Sequence, residues 1–409
     1  MSPRAGSTPQ PSYLEEPSLR VPSQTLSPLA SPMDRACDFG ILSSFPPTAC
    51  GLATFSAALA SGLEANGANA HVVRVVDTPG RSSTIERVVG ELVNGSPNSL
   101  RAATHLLNQT DVAVVQHEYG LYGGADGEEV LEILADLDVP SVVVAHTILN
   151  DPTSHQRAIL NEVASLADQV VVMTEAARER LCRCFDVDPD IVVIIPHGAA
   201  IPKRRSIPLR QSRPTLLTWG LIGPGKGIER AIDAMKMLHL LPMRPQYHVA
   251  GQTHPKVLAA HGESYRHSLV EQATRLGVGS SLIFDDDYRN VASLTDLIQS
   301  SAVVVLPYDS KEQVTSGVLV DAIAAGRPVV ATAFPHATEL LASGAGLVVD
   351  HDDPQAMALA LRRILLEPEL AARMAAEAER LAPSLGWPVV AGHYLNVAHR
   401  LLTEHLVLV

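Results

Sequence analysis

From Asp38 onward the chain alternates short, β-rich apolar runs with stretches whose apolar residues recur every three or four positions. The runs fall at 39–45, 71–76, 112–117, 141–146, 170–173 and 192–196. Alternation of this kind predicts parallel strands joined by crossover helices. The first helical stretch, after Gly51, sets Leu52, Phe55, Leu59 and Leu63 at three- and four-residue spacing, which puts them on one buried face. A basic, proline-containing segment at 202–214 then breaks the pattern and has the makings of a linker. Beyond it the alternation restarts, with runs at 216–219, 247–250, 282–284, 302–307, 328–332 and 346–349. The expected fold class is α/β, with two Rossmann-like parallel-sheet domains facing across a cleft. In open α/β sheets ligands bind outside the carboxyl ends of the strands, so the loops after these runs are where chemistry is sought.

Length and composition agree with two domains. A chain of 409 residues exceeds what one hydrophobic core usually organises. Residues 1–35 are rich in Ser and Pro and poor in large apolar side chains, a composition that cannot offset the entropy of ordering, so a disordered tail is expected. Domains are then expected at 36–205 and 206–384. With 46% hydrophobic and 18% charged residues and no apolar run long enough to span a bilayer, the chain reads as soluble and globular. The net charge of −13 argues against a grip on nucleic-acid phosphates, which needs a basic surface. Cys37, Cys50, Cys182 and Cys184 form no CxxC pair and follow no secretory signal, which fits a reducing cytoplasm. Membrane contact is expected to be peripheral at most, because no strongly amphipathic basic helix is evident.

Chemistry concentrates at the strand ends. At 220–227 a strand leads into a glycine-rich turn and then a helix with Ile228, Ile232 and Met235 on one face. The glycines, Gly225 among them, let backbone N–H groups approach an anion; the helix N-terminus adds partial positive charge and Lys226 a full one. A tight turn with an exposed lysine is the bland alternative. The segment nearly spells a P-loop, but Gly227 stands where a Ser or Thr would hold Mg²⁺. A second glycine-rich entry, at 45–55 around Gly51, follows the first strand and could seat another anion or a sugar. Polar residues collect at further strand ends: Gln116, His117 and Glu118; His146 and Thr147; and His197 with Gly198. One histidine in such a place is usually structural, whereas three at equivalent edges of one sheet point to a site. The second half adds Gln252, Thr253 and His254; Glu312 and Gln313; Thr315, Ser316 and Gly317; and His336 with Glu339. Asp285, Asp286 and Asp287 mimic a metal-binding DxD, yet an acidic loop after a strand is commonly just solvated, and no metal site is assigned.

These residues resemble the group 1 glycosyltransferases of the GT-B fold from about Asp38 to the C-terminus. The resemblance rests on a CGIATF-like run at 50–55, a QHEYG run ending in paired glycines at 116–124, and an HT(V/I)L run at 146–149. In the second half it rests on GLxxxGKGIE at 220–229, GQTHP at 251–255, GExYR at 262–266, PY at 307–308, QxxSG at 313–317 and AGxPV at 325–329. It implies nucleotide-sugar binding in the second half, acceptor binding in the first and hexose transfer, mannose or glucose, in the cleft between them. The donor would be a GDP- or UDP-hexose, and no cofactor or metal would be needed. Donor-binding candidates are Gly51, Gly225, Lys226, Gln252, His254, Gln313, Thr315, Ser316, Gly317 and Asp321. His117, Tyr119, Gly123 and Gly124 would meet the acceptor, a glycan, glycolipid or small molecule. His146, Lys226 and Glu118 are the catalytic candidates, with His146 near the anomeric carbon. Residues 385–409, with Trp387 and Tyr394, look like the helix that returns to brace the first domain. Two departures stand out: Leu221 replaces the usual donor-loop arginine, and Gln313 and Asp321 replace the usual paired glutamates. They keep two rivals in play: a non-catalytic nucleotide-sugar or glycan-binding protein, and a phosphorylase or epimerase on the same scaffold.

Overall fold

The computed structural model describes residues 35–79, 85–202, 213–287 and 289–408. The expected disordered tail, but for Arg35, and most of the 202–214 linker lie outside them. The first half is one parallel sheet of β1 (Asp38–Ser43), β2 (Asn69–Val76), β3 (Val88–Val93), β4 (Val112–His117), β5 (Ser141–Ala145), β6 (Gln169–Val172) and β7 (Val192–Ile194), in the order β3-β2-β1-β4-β5-β6-β7. A second parallel sheet holds β8 (Thr215–Trp219), β9 (Gln246–Ala250), β10 (Leu282–Asp285), β11 (Val303–Leu306), β12 (Val329–Thr332) and β13 (Gly346–Val349), ordered β10-β9-β8-β11-β12-β13. Both are doubly wound. The chain direction across each sheet reverses between β1 and β4, and again between β8 and β11, and ligand crevices open at such switch points. The loops at 44–50, 117–124, 220–227 and 307–316 leave the sheets there.

The apolar runs are strands because helices cover both faces: β4, β5 and β6 are buried at every position. β3 is the strand that the apolar pattern does not announce. It is an edge strand, half-exposed and interrupted by Gly90 and Glu91, and its pairing with β2 shifts register between Val72 and Val73.

Helix Gly51–Ala65 turns Phe55, Leu59 and Leu63 inward, each at most 2% exposed. Each such side chain contributes about 2 kcal/mol by leaving water. Its outer flank is covered by the long helix Trp387–Leu408, whose Val390, Ala391, Tyr394, Ala398 and Leu401 join the same core. The helices meet at Gly62, where a Cβ would fall 2.8 Å from the Trp387 carbonyl oxygen and from Ala391 Cβ. A larger residue at Gly62 would push the two helices apart. Among the described residues, no helix is long and apolar enough to cross a membrane.

Candidate functional site

In the first half, imidazoles gather at the ends of β4, β5 and β7. Phe55, on the first helix, is the post around which they stand: its ring centroid lies 4.9 Å from His146, 5.1 Å from His197 and 5.0 Å from Trp387, all edge to face. The Gln116 side-chain amide oxygen, Oε1, sits 2.6 Å from His146 Nε2. That nitrogen therefore carries the proton, and Nδ1 is left as an acceptor. His197 Nδ1 lies 2.7 Å from the Gly198 carbonyl oxygen, which leaves the Nε2 lone pair free. Burial keeps these rings neutral. It lowers His117 and His197 to about 4, and His146 to about 3 with help from the neighbouring His197 and His117. His117 packs edge-on against Tyr119 at 5.2 Å, and neither His117 Nδ1 nor the Tyr119 hydroxyl has a partner among the described residues. Glu118 accepts from Thr147 Oγ1 at 2.5 Å; burial raises its pKa, opposed by that bond, by the Tyr119 backbone and by Lys256.

The second half presents backbone and one cation. Gly227 adopts φ 63° at the head of helix Ile228–Leu238, and a Cβ there would fall 1.7 Å from the Pro307 carbonyl oxygen. Glycine alone lets the 220–227 turn close onto the end of β11. Lys226 is carried with it, its Nζ 4.6 Å from the centroid of the Tyr308 ring. Burial lowers the Lys226 pKa, and no carboxylate among the described residues pairs with it. The Tyr308 hydroxyl is buried without a hydrogen-bond partner among the described residues, and nearby Ser316 caps helix Gly317–Ala324 by accepting from the Leu319 N–H at 3.3 Å. Beside that cap, Thr315 Oγ1 is buried without a partner among the described residues. The result is a cation, a hydroxyl and a free helix end without an anion, an arrangement suited to a phosphate. Asp321, one turn along the same helix, has no charged neighbour, and burial pushes it up to about 7.

The two halves meet across this site. A Cβ at Gly317 would fall 2.8 Å from His197 Nε2, and Lys256 Nζ lies 3.7 Å from where a Cβ on Gly120 would stand. Several candidates prove to be occupied elsewhere. Glu339 ties the halves together: its two oxygens take the Glu175 and Ala176 N–H groups of the first half, both at 3.0 Å, beside His197 and His336. The His336 ring accepts from the Ser316 N–H at 2.8 Å and so holds the cap. His254 Nδ1 caps its own helix by accepting from Lys256 N at 3.2 Å, while Gln252 is exposed. Gln313 donates to the Thr315 carbonyl at 3.0 Å, which shapes the 313–316 loop. Gly123 gives room to Glu129, and Gly124 adopts φ 78° against Glu128. Gly51 opens its helix with nothing within 4 Å of its missing side chain. Asp285 is taken by Arg289 and by His248 at 3.0 Å. Phe55 and Trp387, which pack against His197, and Tyr308, which lies under Lys226, were not among the site candidates; they are aromatic residues whose contacts only the fold reveals.

Residues 201–381 match the family of group 1 glycosyl transferases, and residues 49–201 match glycosyltransferase family 4. The second half is thus similar to the group 1 glycosyltransferases. Joined to the family 4 half, it gives the GT-B architecture of two facing Rossmann-like domains. A Streptomyces griseus protein named D-inositol 3-phosphate glycosyltransferase is 25% identical over 274 residues, 60% of this chain and 56% of that protein. The Kineococcus radiotolerans protein of the same name is 29% identical over 266 residues, 59% of each. The chain thus spans less than two thirds of these relatives' own length. Among solved structures, Anabaena HepE in complex with UDP superposes with a TM-score of 0.71 at 17% identity, over 89% of this chain and 100% of that one. Sucrose-phosphate synthase from Thermosynechococcus elongatus gives 0.69 at 18% identity, over 90% and 100%. At these identities the group 1 and family 4 halves share the fold with those proteins.

Proposed function

We propose that the chain transfers a hexose from a nucleoside-diphosphate sugar to a hydroxyl of an acceptor held against the first half, with retention and without a metal or other cofactor. The observation that carries the reading is the unpaired Lys226 beside the end of helix Gly317–Ala324 and the unpartnered Thr315 hydroxyl. In the transfer, the bond from the anomeric carbon to the diphosphate breaks and its electron pair goes to the phosphate oxygen. The acceptor oxygen bonds to that carbon and passes its proton to the departing diphosphate. Lys226, the Gly317 N–H and Thr315 Oγ1 meet the charge that grows on the leaving group. Neutral His146 offers Nδ1 to a sugar hydroxyl near the reacting carbon. Gln313, which shapes the phosphate loop, and Asp321 stand where the sugar and ribose would lie, and Gly225, Gln252 and His254 border the nucleotide. On the other wall, Glu118, His117 and Tyr119, with the 123–124 turn, face the acceptor.

A UDP-hexose is the donor we favour, since the neighbour HepE has been solved with UDP and with UDP-glucose. The relatives named D-inositol 3-phosphate glycosyltransferase make a phosphorylated polyol the first acceptor to try, beside glycans and glycolipids. A thermal-shift panel of UDP-glucose, GDP-mannose, ADP-glucose and ATP tests the donor half, because a ligand that prefers the folded state raises its melting temperature. Selective stabilisation by one nucleotide sugar, lost in Lys226→Ala, is the expected result. No response to any of them, or an equal response in Lys226→Ala, would overturn the reading.

A further inference from the structure

The loop that carries Thr315 and Ser316 hangs from the second sheet but is fastened in the first half. Val314 is 3% exposed and packs within the first half's core, together with Ala177 and Leu181 of helix Glu175–Cys184. The cap of that helix, Thr174, donates its hydroxyl to the Val314 carbonyl at 2.9 Å. One turn and a half further on, Arg180 is 6% exposed. Its Nη1 donates to the Glu312 carbonyl at 2.7 Å and to the Ile148 carbonyl at 3.0 Å, and lies 3.0 Å from Glu312 Oε2. Ile148 is two residues from His146, and Glu312 is five from Gly317.

We propose that Arg180 is a positioning residue that fixes the 312–316 loop relative to the His146 loop, so that the phosphate cradle takes shape only against the first half. A buried guanidinium suits this because its planar donors hold several oxygens at fixed angles, which a lysine ammonium does not. Val314 supplies the second fastening: withdrawing the loop means pulling an apolar side chain out of a filled core. The inference rests on the transfer reading only where nucleotide binding is measured; the ordering of the loop is independent of it.

The test uses the full chain with Arg180→Ala and Arg180→Lys, the latter keeping a charge in place should the alanine variant fold poorly. Hydrogen exchange is followed at peptides spanning 312–317, together with UDP affinity by calorimetry. In both variants exchange at 312–317 is expected to quicken about tenfold or more while β4 and β11 stay protected. UDP affinity is expected to fall about tenfold. Low-millimolar guanidinium should restore both in Arg180→Ala but not in Arg180→Lys, whose side chain fills the space. Unchanged exchange at 312–317 would overturn the positioning role whether or not UDP binds. Faster exchange with unchanged UDP affinity would overturn its link to the cradle. Absence of UDP binding by the parent chain would instead tell against the transfer reading.

Discussion

The two sheets share one winding and open their crevices at equivalent switch points, yet they stock them with opposite chemistry. The first half sets neutral rings and amides at its strand ends and keeps them neutral by burial: His117, His146 and His197 all sit at about 4 or below. The second half offers peptide N–H groups, the Thr315 hydroxyl and Lys226, which no carboxylate among the described residues pairs. A diphosphate needs charge, and a lysine with a helix end gives it without a mobile counter-ion. A sugar and its acceptor need directional acceptors and donors, and a cationic imidazole there would lose the lone pair that orients a hydroxyl. One scaffold therefore holds a cationic wall and a wall of neutral imidazoles.

Removing the charge is the severest way to break this contrast. Lys226→Ala is expected to lower kcat about 10²- to 10³-fold with an unchanged unfolding midpoint; a loss within threefold would show that the helix end suffices. Removing the ring from the neutral wall should cost less. His146→Ala is expected to lower kcat/KM about tenfold, the worth of one neutral hydrogen bond, measured with saturating acceptor. The pH response separates the buried histidines, His336 of the second half among them, from Asp321 by sign. The depressed histidines bind fewer protons folded than unfolded, so their contribution is intact above pH 6.5 and is lost as pH falls towards about 4. Asp321, raised to about 7, runs the other way: folding is favoured while it is protonated, and that advantage drains as pH rises from 3.8 through 7. Melting temperature is expected to drop from pH 7 to pH 5, more shallowly in His197→Asn; in Asp321→Asn the drop should be steeper. The mildest change is Glu118→Gln, expected to raise acceptor KM about threefold, because Thr147 can keep donating to the amide oxygen.

What was legible follows from burial. Strands covered on both faces must be apolar throughout, so β1, β4, β5, β6, β8, β11 and β12 stand out in sequence; the edge strands β7, β10 and β13 were still read from short apolar runs, whereas β3 was not, because Gly90 and Glu91 interrupt it. The 220–227 loop was legible because glycine is demanded by the contact with Pro307, and its glycines and Lys226 are adjacent in sequence. Arg180 was not. Helix Glu175–Cys184 reads as a polar surface stretch, and the partner of its guanidinium is 132 residues away. The role of Glu339 was not legible for the same reason: a carboxylate one turn into helix Pro335–Leu341, beside His336, meets a helix end that only the fold brings to it from the other half.

Helix Trp387–Leu408 carries a consequence for synthesis. A ribosome delivers the first half long before residues 390–401, yet those residues finish the core around Phe55, Leu59 and Leu63. Until they arrive the earliest-made sheet has an uncovered apolar flank, and nascent first halves are exposed to one another for the time the second takes to emerge. The domain that is written first is the one completed last.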